Sequence, residues 1–396
     1  SQCRAVPRPG WYLFAVAALL AACGSADLVR TPDGTSPGGA IPSATDGDDA
    51  PSTSGGTKKK TPGSAAGDDD DTTATGDDDD TAGTPNPKTV DLVMSHDVTI
   101  QVQPTDSGKA LLDAIKGAQT SVHMTIYLLT DDKIIDALGD LKDAGKEVKV
   151  VLNRKFPPNG GDNTDAFDAL MLRGVDVVWA SDQYTYTHAK TIVIDAKKAI
   201  IMTMNLTVSS PKTNREYIAT DSDPDDVAAL EKIFAADHDG KALTLASKLV
   251  ISPAAANSNG SPRDYLAALI RSAKKSLDVE VQSLSDRTLV DAIIAQHKAG
   301  LDVHVVIDGD VSDTNAQVTV IGKLKTAGVP LHSLKSPDCH AKAIVVDGER
   351  AYVGSQNFTQ NALDTNREVG VMTDAAAEVA KVKTQIGSDF AKGLAL

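Results

Sequence analysis

Residues 115–153 lie over residues 270–308 without a gap, at a constant offset of 155, so the chain beyond position 90 uses one design twice. Val122, Met124, Ile126 and Leu128 alternate as a half-buried strand does, and Leu277, Val279 and Val281 answer them. Ile134, Ile135, Leu138 and Leu141 share one helical face, matched by Leu289, Val290 and Ile293. Each helix meets an Ala-Gly stop, at Ala144-Gly145 and at Ala299-Gly300. Continuous apolar runs follow at 148–152 and 303–307, as buried strands require. Strands alternating with helices predict an α/β sheet in each half. Two such halves, 91–250 and 251–396, predict a pseudo-twofold pair of α/β/α sandwiches with the working site between them.

The later part of each half repeats more tightly, at an offset of 152. His188-Ala189-Lys190 answers His340-Ala341-Lys342, Asp195 answers Asp347, Thr203 answers Ser355, and Asn205 answers Asn357. Thr213-Asn214-Arg215-Glu216 returns letter for letter as Thr365-Asn366-Arg367-Glu368. A repeat kept for packing would preserve apolar periodicity and let polar identities drift. Here the polar identities are kept, which points to chemistry. His188 and Lys190, two apart on a predicted strand, face one side, as do His340 and Lys342. Two lysines and the amides of Asn205 and Asn357 would form a donor cluster suited to the non-bridging oxygens of a phosphate. Two histidines allow one neutral nucleophile and one protonated acid. Glu216 and Glu368 are placed to bind the far nitrogens of the histidines and fix their tautomers.

A single His-x-Lys carries little information. Zinc is a poor alternative, because no third ligand recurs with the histidines and lysines repel a cation. The other six histidines (96, 123, 238, 297, 304 and 332) have no partner across the repeat and read as surface or packing residues. Asp195 and Asp347 end apolar strands ahead of turns, where structural hydrogen bonding suits them better than base catalysis. Cys339 stands beside His340, but its equivalent is Thr187, so it reads as a small buried neighbour rather than a nucleophile.

Each set resembles the signature of the phospholipase D superfamily: His-x-Lys, four residues, Asp, six residues, Gly-Ser-x-Asn and a downstream Glu. The second copy, from His340 to Glu368, matches throughout, including Gly354-Ser355-Gln356-Asn357. The first copy departs once, with Met202-Thr203 in place of Gly-Ser, which bears on how closely backbone approaches substrate there. The resemblance covers residues 105–396. It implies a phosphohistidine mechanism without metal or other cofactor. It also implies His188 as nucleophile and His340 as acid, then base.

The front of the chain reads differently. Arg4 and Arg8 precede an apolar stretch ending in Leu20-Ala21-Ala22-Cys23. The stretch is short for a membrane span and has a small-residue cleavage pattern, so residues 1–22 read as a signal peptide. Leu-Ala-Ala-Cys resembles the lipobox of bacterial lipoproteins, which makes Cys23 the lipidated first residue of an exported protein. Gly24 follows it in place of Asp, pointing to the outer membrane. Residues 23–90 hold 13 Asp against five basic residues in a Gly, Ser, Thr and Pro background. Such a segment cannot bury enough apolar surface to order itself and reads as a disordered tether.

Charge bears on the substrate. The net charge is −15 overall and −9 over residues 91–396, which opposes a polyanion. Aromatics make up only 4%, few for stacking bases. With a lipid anchor, these favour hydrolysis or exchange of a phospholipid headgroup by a monomer at a membrane. A secreted endonuclease, a cardiolipin synthase-like transferase and a non-catalytic phosphate-binding protein are the other readings. Nucleic acid would need a local basic cleft, for which Arg154, Lys155, Arg215 and Arg367 are the candidates.

Overall fold

The computed structural model describes residues 89–157, 160–309 and 315–396. The signal peptide, Cys23 and the tether up to residue 88 lie outside the described residues. The first half opens with β1 (Val98–Gln103), α1 (Lys109–Lys116), β2 (Ser121–Ile126), α2 (Asp132–Asp143) and β3 (Glu147–Leu152). It continues through α3 (Thr164–Leu172), β4 (Asp176–Trp179), β5 (Lys190–Ile194) and β6 (Lys198–Met202). A short α4 (Ser210–Thr213), β7 (Asn214–Asp221) and α5 (Pro224–His238) complete it. The second half repeats the course with β8 (Val250–Ser252), α6 (Pro262–Arg271), β9 (Ser276–Val281), α7 (Arg287–Lys298) and β10 (Asp302–Asp308). Next come α8 (Asn315–Thr326), β11 (Leu331–Leu334), β12 (Asp338–Cys339), β13 (Lys342–Val346) and β14 (Arg350–Gly354). It closes with α9 (Gln360–Asp364), β15 (Glu368–Thr373), α10 (Ala376–Lys392) and β16 (Leu394–Ala395).

The two sheets have one topology. Their orders are β1-β7-β6-β5-β2-β3-β4 and β8-β15-β14-β13-β9-β10-β11, with β16 added at the far edge of the second. In each, three parallel strands joined by helical crossovers meet four antiparallel ones. The helices stop where the sequence says. Asp131 caps α2 by accepting the Lys133 N–H at 3.0 Å, and Gly145 follows it at φ 78°. Asp286 caps α7 through the Leu289 N–H at 3.1 Å, and Gly300 follows at φ 86°.

The apolar faces assemble three cores. Leu111, Ile115, Ile134 and Leu138 cover Val122, Met124 and Ile192 on the outer face of the first sheet. Leu266, Leu289 and Leu324 do the same for Leu277, Val279 and Ile344 on the second. Between the sheets, Ala189, Ala199 and Ala219 lie in one cluster with Ala341, Ala343 and Ala351, among larger side chains such as Tyr217 and Ile201. β5, β6 and β7 pack there against β14 and β15, so the two halves share a buried seam.

Two expectations shift. β2 stops at Ile126 rather than Leu128, because Leu128 leaves the sheet and accepts the Leu206 N–H at 3.0 Å. The boundary between halves is also not a clean cut at residue 250. Met94 joins the second half's core, Ser95 N–H bonds the Met372 carbonyl at 2.8 Å, and Val250 opens β8 of the second sheet. The leading strap of the first half is therefore tied to the second.

Candidate active site

Parallel strands β2, β3 and β4 end at the edge of the sheet where β5 and β7 begin and β6 ends. The second sheet is arranged likewise, and both His-Ala-Lys segments sit at this common end. The sequence places His188 on a strand with Lys190, yet β5 starts only at Lys190. The His188 and Ala189 N–H groups instead donate to the Arg367 carbonyl of the other half, at 3.0 and 2.9 Å, and Arg367 N–H donates to the Tyr186 carbonyl at 2.9 Å. In the second half β12 runs parallel to β7, pairing Asp338 with Asn214 and Cys339 with Arg215. Each histidine is thus delivered by a backbone pairing with the Thr-Asn-Arg-Glu segment of the opposite half.

This stitching crosses the carboxylates over. His188 Nδ1 lies 2.8 and 3.0 Å from the two oxygens of Glu368, and His340 Nδ1 lies 2.8 Å from Glu216 Oε1. All four side chains are buried. The Glu368 hydrogen bond holds the proton on His188 Nδ1 and leaves Nε2 for chemistry, while Glu216 stands at ion-pair distance from His340 Nδ1. Asn214 and Asn366 donate back to Glu216 and Glu368 at 3.4 and 3.3 Å. Lys190 Nζ sits 2.7 Å from His188 Nε2, and Lys342 Nζ sits 3.3 Å from His340 Nε2. Asn357 is fully buried, and neither end of its amide has a hydrogen-bond partner among the described residues. Asn205 occupies the matching position, also buried.

The halves differ in what flanks these pairs. Tyr127 lies edge-on to His188 at 4.5 Å, with Lys190 Nζ 4.8 Å from its ring centre. Its equivalent is Gln282, which accepts a hydrogen bond from Lys342 Nζ at 2.9 Å. Thr203 donates its hydroxyl to Glu216, whereas Ser355 donates to the Val369 carbonyl at 3.3 Å. Sequence reasoning missed Tyr127 and Gln282. The gapless offset of 155 puts them in register, so an unlike pair just past matched strands was the available signal.

The remaining residues divide as follows. Asp195 accepts backbone N–H bonds from Gln119, Thr120 and Ser121 at 2.7–3.0 Å, and Asp347 does the same for Lys274, Lys275 and Ser276. Burial opposes their charge, but these donors outweigh it, lowering Asp347 and bringing Asp195 to about 2. Both pin the start of a strand. Cys339 is buried, and burial pushes its thiol well above the ordinary value, so it is no nucleophile. The expected basic cleft loses two members. Arg215 is buried against Asp389 at 2.5 Å and Arg367 against Asp237 at 3.0 Å, each again crossing between halves. Only Arg154 and Lys155 are exposed, and Lys155 pairs with Asp182 at 3.0 Å. Among the described residues, no group of three or more His, Cys, Asp or Glu side chains is placed to hold a metal ion.

A family model described as "Cardiolipin synthase, PLD-like domain" matches residues 111–238 and 266–390, one span over each half. The chain belongs to the phospholipase D-like family. Mitochondrial cardiolipin hydrolase of Xenopus tropicalis is 36% identical over 110 residues, which are 28% of this chain and 51% of that protein. Cardiolipin synthase 2 of Bacillus anthracis is 21% identical across 71% of this chain and 62% of that protein. The chain therefore spans about half to three fifths of these relatives' lengths. The crystal structure of phosphatidylserine synthase from Haemophilus influenzae shares the phospholipase D-like fold, with a TM-score of 0.59 at 13% identity over 76% of this chain and 89% of that one.

The structure also explains the departure at Met202. A Cβ on Gly354 would lie 2.2 Å from the Tyr352 hydroxyl and 2.7 Å from the Gly370 Cα. The glycine therefore makes room for Tyr352 in the outer core. In the first half Met202 fills the matching space among Ile200 and Ile218, so the change repacks a core and leaves Asn205 in place.

Proposed function

We propose that this protein is a phospholipase D-type phosphodiesterase acting on phospholipids, hydrolysing or exchanging the headgroup through a phosphohistidine. The crossed pairs His188–Glu368 and His340–Glu216 carry the reading, because each histidine is held by a carboxylate of the other half, as a single site built from both halves requires. The ammonium of Lys190 at His188 Nε2 supports a neutral, lone-pair-bearing imidazole there. His340 Nε2 is less engaged, since Lys342 is shared with Gln282. His188 Nε2 accordingly attacks phosphorus, forming the N–P bond, while His340 donates its Nε2 proton to the departing alkoxide. Water or an alcohol then attacks, giving its proton to His340 as the N–P bond breaks. Lys190, Lys342, Asn205 and Asn357 hold the non-bridging oxygens. A buried, unpaired amide such as Asn357 costs about 1–3 kcal/mol, a cost that a bound phosphate offsets.

Support for a lipid substrate comes from the burial of Arg215 and Arg367, which removes two of the four residues that could line a basic cleft for a polyanion. The cardiolipin-directed names of the relatives favour it too, and make headgroup transfer of the cardiolipin synthase kind the second reading. The test is the full chain assayed side by side, with chelator, on phosphatidyl lipid vesicles and on DNA. Headgroup release or exchange is expected; rapid DNA cleavage without lipid turnover contradicts it. The lipobox extends the proposal to an anchor at Cys23 in the bacterial outer membrane. Cys23→Ala should abolish palmitate labelling and release the protein from membranes, and an unchanged membrane fraction would refute the anchor.

A further inference from the structure

The two halves differ at one place beside the catalytic end. In the second half, Arg263 bridges Asp286 at 2.8 Å and Asp364 at 2.8 and 2.9 Å, tying the starts of α6 and α7 to α9 over a buried Phe358. The repeat offsets put Gly108 where Arg263 stands, Asp131 where Asp286 stands, Lys212 where Asp364 stands, and Leu206 where Phe358 stands. The clamp is missing, and in its place lies a cavity of about 340 Å³ bounded by α1, the start of α2, α4 and the segment after β6. Gly108 has φ 76°, a conformation that suits glycine and not arginine, so the opening is built into the backbone.

Leu111, Leu112, Ile134, Met204, Leu206 and Pro211 give the cavity an apolar floor among polar and charged lining residues. Asn205 of the phosphate cluster also lines it, which sets the cavity beside the catalytic site. Lys133 and Lys212 are exposed at its rim. Of the three carboxylates there, Asp106 accepts the Gly108 and Ala110 N–H groups and Asp131 that of Lys133, while Asp132 is exposed beside Lys133. A recess with an aliphatic floor, charged residues of both signs at its mouth and Asn205 of the phosphate cluster in its lining complements an acyl chain joined to a phosphate. We infer that this cavity is the subsite for an acyl chain of the lipid whose phosphate lies between His188 and His340. The inference rests on the phospholipid reading above and names the part of the lipid that the first half selects.

The test uses full-length protein and the p-nitrophenyl esters of dioctanoyl- and dibutyryl-phosphatidic acid below their micellar concentrations, so that no headgroup need be known. Wild type should prefer the longer chains by at least tenfold in kcat/KM. Leu112→Trp, which fills the cavity, should bring that preference towards one. Val208→Trp at the half-exposed edge should do the same and serves if Leu112→Trp unfolds. Leu172→Trp, 83% exposed on α3 away from the cavity, should keep the wild-type preference. Folded Leu112→Trp and Val208→Trp proteins with the full preference, or a wild type with none, would overturn the subsite alone. A wild type that cleaves bis(p-nitrophenyl) phosphate but neither phosphatidyl ester would overturn the phospholipid reading, and the subsite with it.

Discussion

Glu216 and Glu368 stand in identical local sequence yet serve different histidines, each in the opposite half. A carboxylate at Nδ1 orients the ring and stabilises its imidazolium, so Gln in its place keeps a hydrogen-bonding group and loses the charge. Both Gln variants should fold and lose about 10²-fold or more in rate. The crossing predicts that they fail differently. Glu368→Gln should slow attack by His188 on every substrate, good leaving groups included. Glu216→Gln should spare nitrophenyl esters and slow alkyl esters, which need the proton from His340. Equal losses on both substrate types would refute the crossed assignment, and stopped-flow nitrophenol release reads it directly. The residue types of this site were legible in the sequence, because polar identities survived a duplication that let core residues drift. The crossing was not, since it depends on backbone pairing between segments far apart in the chain, such as His188 with Arg367 and Cys339 with Arg215.

At the scale of elements, Asp195 and Asp347 each gather the N–H groups of a strand entrance from a left-handed position, φ 56° and 58°. The Asp195 carboxyl titrates lower folded than unfolded, at about 2 against an ordinary value of about 3.9. Its contribution to stability is therefore complete above about pH 4 and is lost as the pH falls towards 2. Asn tolerates the same backbone, so Asp195→Asn isolates the charge. The variant should melt below wild type at pH 7, with the gap closing between pH 4 and 2 by calorimetry. A gap independent of pH would show that the carboxylate charge is not what pins β2. Helices α2 and α7 were legible to within two residues from their apolar faces and Ala-Gly stops. The end of β2 was not, because Leu128 is as apolar as its neighbours and leaves the sheet only for a tertiary bond to Leu206. Gly354 misled for a related reason: a motif glycine suggests close approach by substrate, and here it accommodates Tyr352.

The two halves are held as one unit by contacts that pass between them. Arg367 reaches Asp237 on α5, Arg215 reaches Asp389 on α10, and both pairs are buried. Removing one partner of such a pair costs about 3–5 kcal/mol, since an uncompensated charge stays inside. Arg367→Met should destabilise both halves together and leave a single calorimetric transition at lower temperature; two separate transitions would contradict this coupling. The duplicated architecture followed from the sequence, whereas the strap that carries Met94 into the second core did not, because Met94 stands outside the repeat. The proposed function makes one site from two motifs and assigns attack to His188 and proton handling to His340. That claim is tested most directly by incubating His340→Asn and His188→Asn proteins with bis(p-nitrophenyl) phosphate and mapping phosphorylated peptides by mass. The His340→Asn protein should release one nitrophenol and accumulate a nitrophenyl phosphoryl adduct on His188, while the His188→Asn protein forms none. An adduct on His340 would reverse the roles, and turnover by wild type with no adduct in either variant would contradict the phosphohistidine route itself.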